Sequence, residues 1–338
     1  MIDYLLLLPI IASFLVAALL LPYWIRKAHQ INLLWDDMNK FVSKKVAGSG
    51  GTISVLGFVV GVLVFIAYRV FYLHTTGFVL ETFALLSVIL LAAGVGLIDD
   101  LFGWQHGGLS KRSRLLLLIV AAVPLMVINV GDTSMSLPFF GEINFGLIYP
   151  LIIIPLGIVG ATTTFNFLAG FNGLEAGQGI LLLGGMSIVA FFTGMPWLAI
   201  MGLCMAASLT AFLIYNAVPA RVFPGDVLTY SVGSLIAIMA ILGNFEKVAV
   251  FFFIPYILEV VLKSRGGLVK QSFGKPMKDG SLTMKYDKVY GLEHLAIYLM
   301  QKFGVKATER RVVYTIWTFQ AIIIVLGLWI FREGIFLR

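Results

Sequence analysis

Long apolar windows alternate with short polar segments along almost the whole chain. A helix that crosses a bilayer needs about 20 mostly apolar residues. Windows free of charge, or nearly so, reach that length repeatedly. The ten predicted spans fall in residues 4–25, 46–68, 79–98, 115–131, 143–174, two in 176–220 on either side of Thr193–Pro196, 227–245, 248–262 and 312–331. We therefore predict an all-α polytopic membrane protein with ten transmembrane helices.

Composition and charge agree with this prediction and give it an orientation. Of the 338 residues 60% are hydrophobic and 12% charged, against roughly 25% charged in soluble domains. The net charge of +7 is not read as a sign of nucleic-acid binding, because 20 of the 24 Lys and Arg residues follow odd-numbered spans. Basic loops face the cytoplasm. Both termini are therefore expected outside, with the polar clusters on the cytoplasmic face.

The chain is predicted to be one domain, residues 1–338, with one sizeable loop at 264–311. Within that loop an apolar stripe between residues 289 and 303 predicts an amphipathic helix at the membrane interface. Residues 131–146, which include Pro138, suit a small hairpin. The single cysteine, Cys204, excludes a disulfide scaffold.

Two polar clusters follow the second and fourth odd-numbered spans. The pair Asp99-Asp100 comes directly after an apolar helix predicted to end at Ile98. Acids at a helix C-terminus oppose the helix dipole, so a cation or metal is expected beside them. A solvated polar stop is the alternative. The segment 219–226 ends in Pro224-Gly225-Asp226, where the acid is either a functional group or an ordinary helix cap.

Two further clusters carry glycines and amides. Residues 166–179 hold two Asn, one Glu and four Gly, a composition that a simple linker does not need. Residues 35–40 precede the glycine-rich segment 48–51, which is either an ordinary loop or a backbone cradle for phosphate. Few carboxylates beside a basic rim suit Mg²⁺, which completes its coordination with water and substrate phosphates. The residues thus favour a membrane enzyme acting on an anionic, diphosphate-containing substrate.

The segment Asn166–Gln178 resembles the signature loop of polyprenyl-phosphate N-acetylhexosamine-1-phosphate transferases. It is most similar to the dolichyl-phosphate N-acetylglucosamine-phosphotransferase branch. Residues 219–226 resemble that branch's second motif, and Asp99-Asp100 its first. The resemblance implies transfer of GlcNAc-1-phosphate from UDP-GlcNAc to a polyprenyl (dolichyl) phosphate, giving polyprenyl-diphospho-GlcNAc and UMP. This is the first lipid-linked step of N-glycan-type assembly. Inhibition by tunicamycin is also implied.

The resemblance also implies roles for individual residues. These are Mg²⁺ binding, with Mn²⁺ as an alternative, by Asn166 and Asp226; nucleotide binding by Gly170, Asn172, Glu175, Asp37 and Asn39; orientation of the reacting phosphates by Asp99, Asp100 and Lys111; and contact with phosphate or sugar by Arg112, Phe223, Lys275 and Lys278. Because a phosphate monoester is mostly dianionic at neutral pH, we expect direct attack by the lipid phosphate. A covalent aspartyl-phosphate route is the alternative.

The chain departs from the eukaryotic pattern at two places. Ala47-Gly48 replace a Pro-Glu pair, and Lys275 and Lys278 stand where an Arg/His-rich segment is expected. The compact chain resembles an archaeal member in the cell membrane; a eukaryotic member would lie in the endoplasmic reticulum membrane.

Three alternatives stay open. The first two are undecaprenyl phosphate as the acceptor and another UDP-N-acetylhexosamine as the donor, although the last loop carries only His294 where the bacterial cell-wall branch is histidine-rich. The third is a lipid-linked sugar transporter or flippase, which would place its polar residues nearer the bilayer midplane. Assembly into a homodimer also stays open.

Overall fold

The computed structural model describes residues 4–129, 131, 133–137 and 141–336, and it is built mostly of helices. The helices are α1 (Leu7–Gln30), α2 (Gly51–Ala67), α3 (Val79–His106), α4 (Lys111–Val127), α5 (Ile154–Phe165), α6 (Leu174–Phe192), α7 (Pro196–Asn216), α8 (Gly225–Gly243), α9 (Glu246–Phe252), α10 (Ile254–Ser264), α11 (Leu292–Lys302), α12 (Glu309–Ile330) and α13 (Arg332–Phe336). A short 3₁₀ turn precedes α1, and π-helical turns extend α2 through Tyr72 and precede α5 from Tyr149.

Among the described residues, seven helices are long and apolar enough to cross a membrane. They are α1, α2 with its π-helical extension, α3, α6, α7, α8 and α12. The protein is therefore a polytopic helical membrane protein, as predicted. The three other predicted spans correspond to the shorter helix α4, to α5 with its π turn, and to the pair α9–α10, which is interrupted at Phe253 ahead of Pro255.

Helix α8 lies at the centre of the bundle. Every residue from Val227 to Gly243 is buried, as the uncharged composition of this segment allows. Small residues let neighbouring backbones approach it closely. A Cβ atom on Gly233 would lie 2.6 Å from the Cα of Thr162 in α5, and one on Gly96 of α3 would lie 2.5 Å from the carbonyl oxygen of Asp226. The second approach brings the part of α3 just before Asp99 and Asp100 against the start of α8.

The end of α3 differs from the prediction. The helix does not stop at Ile98 but continues to His106, so Asp99 and Asp100 lie about two turns inside it. Gly107 and Gly108, with φ of +83° and +80°, end the helix instead, because only glycine adopts this conformation without strain. The prediction that the two acids occupy the helix C-terminus was wrong.

The small elements outside the long helices follow the predicted pattern. Strands β1 (Leu34–Asp36) and β2 (Lys45–Ala47) pair antiparallel after α1. Strands β3 (Ser134–Leu137) and β4 (Gly141–Asn144) form the expected hairpin, although Pro138 lies outside the described residues. In the long loop, β5 (Lys275–Pro276) pairs with β6 (Leu282–Thr283) ahead of the predicted helix, α11. Helix α11 buries Leu292 and Ile297 and packs against α10 and α12. Its position at a membrane interface stays a prediction.

Candidate functional site

Two adjoining cavities open at the end of the bundle where α2 and α8 begin. The larger has a volume of about 500 Å³ and the smaller about 280 Å³. Trp35, Phe223, Gly225 and Asp226 line both. The larger cavity is lined in addition by Asp36, Asp37, Met38, Asn166, Ala169, Gly170, Phe171, Asn172, Glu175, Asn216, Pro224, Thr229 and Phe273. Three of the four predicted polar clusters thus contribute to the larger cavity, and Asp99-Asp100 line the smaller one.

Three carboxylates converge on the smaller cavity. The backbone N–H of Asp226 donates a hydrogen bond of 2.7 Å to Oδ1 of Asp100. Gly225 makes this approach feasible: its φ is +71°, and a Cβ atom there would lie 2.1 Å from Oδ2 of Asp100. That Oδ2 atom is buried without a hydrogen-bond partner among the described residues. The structure therefore brings together the acidic pair and Asp226, which lie more than 120 residues apart in the chain.

Arg114 neutralises part of this acidic cluster, and sequence reasoning missed it. Its Nε lies 2.6 Å from Oδ2 of Asp99, and its Nη1 lies 4.0 Å from Oδ2 of Asp226. The other oxygen of Asp99 accepts a 2.7 Å hydrogen bond from the N–H of Leu109. This is the cationic compensation expected beside the acid pair, and it comes from the first turn of α4.

The predicted cations Lys111 and Arg112 lie on the same helical turn as Arg114 but are exposed and line neither cavity. A signal for Arg114 was present in the sequence. It is the last charged residue before the unbroken apolar run of α4.

Asn166 and Asp226 line the same cavity, as their predicted shared role requires. Asn166 follows the last residue of α5, and its Oδ1 accepts a 3.1 Å hydrogen bond from the hydroxyl of Thr229. Thr229 lies one helical turn after Asp226 on α8. The two predicted metal ligands, Asn166 and Asp226, therefore lie near each other at the start of that helix. The side chain of Asp226 is 26% exposed and open to the cavity.

The predicted nucleotide-binding residues form one hydrogen-bonded network. The side-chain amide of Asn172 donates to Asp37 at 2.8 Å, and that of Asn39 donates to the carbonyl of Gly170 at 2.9 Å. The N–H of Gly170 donates in turn to Glu175 at 2.9 Å. The network joins the loop after β1 to the loop before α6. Asn39 is buried behind the cavity wall, whereas the other four residues line it.

Glu309 and Lys40 complete this network, and neither was predicted. Oε1 of Glu309, the first residue of α12, accepts a 3.0 Å hydrogen bond from the N–H of Asn172. The ammonium group of Lys40 pairs with the other oxygen of Glu309 and lies 3.3 Å from Asp37. The sequence offered no direct signal, because these residues are about 270 positions apart.

Phe223 is held between the cavities by the glycine-rich segment before α2. Its N–H donates to the carbonyl of Ala47 at 2.7 Å, and its own carbonyl accepts from Gly50 at 2.9 Å. The N–H groups of Gly48 and Gly51 also donate to protein carbonyls, at 3.0 and 2.9 Å. Because these three glycine N–H groups already donate to protein carbonyls, the structure favours the interpretation of this segment as an ordinary loop over a backbone cradle for phosphate.

The long loop contributes Phe273 to the larger cavity rather than the predicted lysines. Lys275 and Lys278 are exposed on the β5–β6 hairpin and line neither cavity. Phe273 packs so closely that a Cβ atom on Gly170 would lie 2.8 Å from its ring. The carbonyl of Phe273 lies 3.3 Å from Nε2 of His294. Burial lowers the pKa of His294, and the nearby charges of Lys263 and Lys285 lower it further.

The oxygen atoms of these side chains suit a cation that takes some of its ligands from the protein and the rest from the substrate and water. Among the described residues, no group of three or more His, Cys, Asp or Glu side chains has the arrangement of a metal cage. One or two carboxylates with an amide, opening into a cavity, fit Mg²⁺, which retains water and substrate phosphates. The buried, unpartnered Oδ2 of Asp100 is a further oxygen that a cation would satisfy.

Comparison with known proteins assigns the family. Residues 82–244 match the model of glycosyl transferase family 4. A protein of Saccharolobus solfataricus with the provisional name UDP-N-acetylglucosamine–dolichyl-phosphate N-acetylglucosaminephosphotransferase is 34% identical, over 95% of both chains. The enzyme of that name from Dictyostelium discoideum is 30% identical over 72% of this chain and 67% of its own. A phospho-N-acetylmuramoyl-pentapeptide-transferase of Shouchella clausii is 30% identical over 77% and 81%. The motifs, the helical membrane architecture and these similarities confirm the resemblance found in the sequence, and the chain belongs to glycosyl transferase family 4.

Proposed function

We propose that this protein transfers GlcNAc-1-phosphate from UDP-GlcNAc to a polyprenyl phosphate of the dolichyl type, forming polyprenyl-diphospho-GlcNAc and UMP. The observation that carries the proposal is the pair of adjoining cavities, which share Asp226 and Phe223. The smaller presents three carboxylates and a guanidinium, and the larger presents three side-chain amides together with four carboxylates. The volume of the larger, about 500 Å³, is within the usual range of about 300–1,000 Å³ for small-molecule sites.

The reaction is a single displacement at the β-phosphorus of the nucleotide sugar. An oxygen of the lipid phosphate forms a bond to that phosphorus, the bond from it to the bridging oxygen breaks, and UMP leaves with the bridging oxygen. The attacking monoester has a second pKa of about 6, so it needs no strong base at neutral pH. The protein's contribution is then to position the reactants and stabilise charge.

Asp99, Asp100 and Arg114 stand where the two phosphates would meet. Arg114 supplies positive charge that Asp99 orients through the 2.6 Å contact. The negative charges of Asp99 and Asp100 would balance the positive charge of Arg114 until the substrate phosphates bind. If Asp99 or Asp100 acted as a covalent nucleophile instead, UDP-GlcNAc without lipid would leave a trapped phospho-enzyme; direct attack leaves none.

Asp226 and Asn166 would hold the magnesium ion, with Mn²⁺ as an alternative. Both line the larger cavity, and the start of α8 and the end of α5 fix their backbones. When bound, the ion would neutralise diphosphate charge. The uridine would then lie toward Gly170, Asn172 and Glu175, where the Asp37–Asn172 hydrogen bond holds two loops together.

The polyprenyl chain has a candidate path beside this site. An apolar cavity of about 410 Å³ lies between α5, α8 and the α9–α10 pair, lined by residues from Tyr149 to Val260. Thr164 lines this apolar cavity, and Asn166, two residues later, lines the larger of the two site cavities. A lipid whose chain occupies the apolar cavity would place its phosphate at the start of α8.

We further propose that the chain crosses the membrane ten times, with both termini outside and the site on the cytoplasmic side of a cell membrane. The shorter helix α4, the π turn with α5, and the α9–α10 pair would supply the three spans beyond the seven long helices. The distribution of Lys and Arg supports this orientation. UDP-sugars and the predicted basic rim would then share one compartment.

The experiment is a UMP-release assay on purified protein with UDP-GlcNAc, Mg²⁺ and dolichyl phosphate. We expect UMP release that requires both the lipid phosphate and the metal. Asp226→Ala and Asn166→Ala should abolish it, whereas Arg332→Ala, an exposed change beyond the far end of α12, should not. A folded preparation that releases no UMP with any polyprenyl phosphate would reject the function.

A different acceptor or sugar is the second candidate, supported by the similarity to the Shouchella clausii enzyme, whose name describes a phospho-N-acetylmuramoyl-pentapeptide transfer. The same assay with undecaprenyl phosphate, or with another UDP-N-acetylhexosamine, separates the cases by relative kcat/KM. A preference for UDP-GlcNAc and the dolichyl acceptor supports the first proposal.

A further inference from the structure

A fourth cavity lies at the opposite end of the bundle from the two site cavities. It has a volume of about 570 Å³, is lined almost entirely by apolar side chains of α1, α2, α6 and α7, and includes Arg69. Arg69 follows Gly51 by 18 residues, or about 27 Å along a helix at 1.5 Å per residue. The cavity is therefore separated from the nucleotide site by the thickness of the bundle.

Arg69 carries a charge that the described part of the protein does not balance. Its guanidinium carbon lies 5.9 Å from the ring centre of Phe65 and 5.6 Å from that of Phe78. No carboxylate among the described residues lies within ion-pair distance of it, and its Nε is buried without a hydrogen-bond acceptor. A guanidinium fixed between aromatic rings at the edge of a membrane favours an anion that offers two oxygens to its planar fork, such as a phosphate.

A second donor lies on the same cavity wall. The ring of Trp197 stacks on Phe78 with 5.1 Å between centroids, and its indole N–H is buried without an acceptor among the described residues. Buried donors are normally satisfied, so two orphaned donors around one cavity are unusual. Apart from the hydroxyl groups of Tyr68 and Ser187, the remaining wall is apolar, from Leu7 and Ile10 of α1 to Phe191 and Phe192 of α6.

We propose that this cavity binds one membrane phospholipid, with the phosphodiester paired with Arg69 and an alkyl chain in the apolar volume. A phosphodiester carries one negative charge, which matches the single guanidinium. A free anion would leave the apolar volume unfilled, and an uncharged lipid would leave Arg69 without a counter-ion among the described residues. The site is distinct from that of the polyprenyl phosphate, because the cavity lies at the other end of the helices.

The test measures how many lipids the purified full-length protein retains, using native mass spectrometry after exposure to phosphatidylglycerol or to diacylglycerol, which lacks the phosphate. We expect one tightly retained phosphatidylglycerol on the native protein and weaker retention of diacylglycerol. Arg69→Gln should lower phosphatidylglycerol retention about tenfold, the scale of one charge-assisted contact. Arg332→Gln is the matched control: Arg332 also stacks on an aromatic ring, that of Trp329 at 5.5 Å, but lines no part of this cavity. It should retain lipid as the native protein does.

A second variant keeps the test independent of Arg69. A Cβ atom on Gly184, which lines the cavity, would meet no atom within 4 Å, so Gly184→Leu should fill the volume without a clash and expel the lipid. Gly94→Leu, at another uncrowded helical glycine outside this cavity, should not expel it. Unchanged retention in Arg69→Gln or in Gly184→Leu would overturn the proposal. So would displacement by excess inorganic phosphate, which would indicate an ion site only.

Discussion

At the residue scale, the position of Arg114 changes the electrostatic picture of the site. The acids at 99 and 100 lie beside a third carboxylate, Asp226, and one guanidinium reaches toward two of the three. Repulsion among carboxylates is the cost of gathering oxygen ligands in one place. Arg114 offsets part of it and is positioned to contact the diphosphate once substrate enters.

The first prediction compares two arginines on one helical turn. Arg114→Gln should lower kcat for UMP release about 10²–10³-fold, the effect expected when a preorganised charge is removed from a transition state. Arg112→Gln, at the exposed position two residues earlier, should change kcat little. Steady-state kinetics of the two purified variants make the comparison. An equal loss of kcat in both variants would show that the first turn of α4 acts only through its total positive charge, without a specific role for Arg114.

The limits of sequence reasoning are visible at this same turn. The motif residues Asp99, Asp100, Asn166 and Asp226 could be chosen because carboxylates and amides stand out against an apolar background. Lysines and arginines do not stand out on a basic rim. Only the helical phase, which fixes where each side chain points, distinguishes Arg114 from Lys111 and Arg112, and the sequence alone does not give that phase relative to the site.

At the element scale, α12 is tied to the nucleotide loop although its sequence suggests only a membrane anchor. Glu309 at its first turn accepts from the backbone of Asn172 and pairs with Lys40. Both charges are largely removed from solvent, with side-chain exposures of 6% and 26%. A helix that begins in this way positions the loop to which we assign nucleotide binding.

The second prediction tests that coupling. Glu309→Gln should raise KM for UDP-GlcNAc more than it lowers kcat, because the loop loses its fixed position while the reacting groups keep theirs. In a double-mutant cycle, Lys40→Met and Glu309→Gln should be strongly non-additive, as expected of contacting partners. Additive effects on KM would separate Lys40 from Glu309 and contradict the network.

Helix α11 carries a buried acid whose titration gives a pH test. Burial raises the pKa of Glu293 well above its usual value of 4.5, and the nearby charge of Glu259 raises it further, while Lys263 acts in the opposite direction. The folded state therefore favours the protonated carboxyl. Its contribution to stability is complete below the unfolded pKa and is lost as pH rises.

The third prediction follows from that sign. Glu293→Gln, which mimics the neutral carboxyl, should melt at a higher temperature than the native protein at about pH 8, and the difference should shrink at about pH 5. Glu333→Gln, an exposed acid on α13, should match the native protein at both values. A Glu293→Gln variant that is less stable at the higher pH would show that the ionised carboxylate is needed.

At the scale of the whole molecule, apolar windows predicted the helices well but their ends poorly. Windows are set by where charges occur, whereas helices end where backbone conformation or a proline requires it. Thus α3 passes two aspartates and stops at Gly107, and the window 248–262 became two helices around Phe253. The meeting of residues 37, 172 and 309 depends on tertiary packing, which no local pattern in one sequence encodes.

The fourth prediction concerns orientation. The native cysteine, Cys204, is fully buried, so a single introduced cysteine can report which side of the membrane it faces. Cysteine at exposed Lys278 should react with an impermeant thiol reagent only in inside-out vesicles. Cysteine at Arg332 should react only in intact cells. Labelling of both from the same side would contradict the proposed arrangement.

The central claim is that the β-phosphorus moves from the nucleotide sugar to the lipid phosphate. The most direct measurement supplies UDP-GlcNAc with a radioactive β-phosphorus, together with Mg²⁺ and dolichyl phosphate, and separates lipid from aqueous products. The account predicts the label in the lipid diphosphate, matched mole for mole by unlabelled UMP and dependent on Asp226. Label that remains in the aqueous nucleotide, with no label in the lipid, would contradict it.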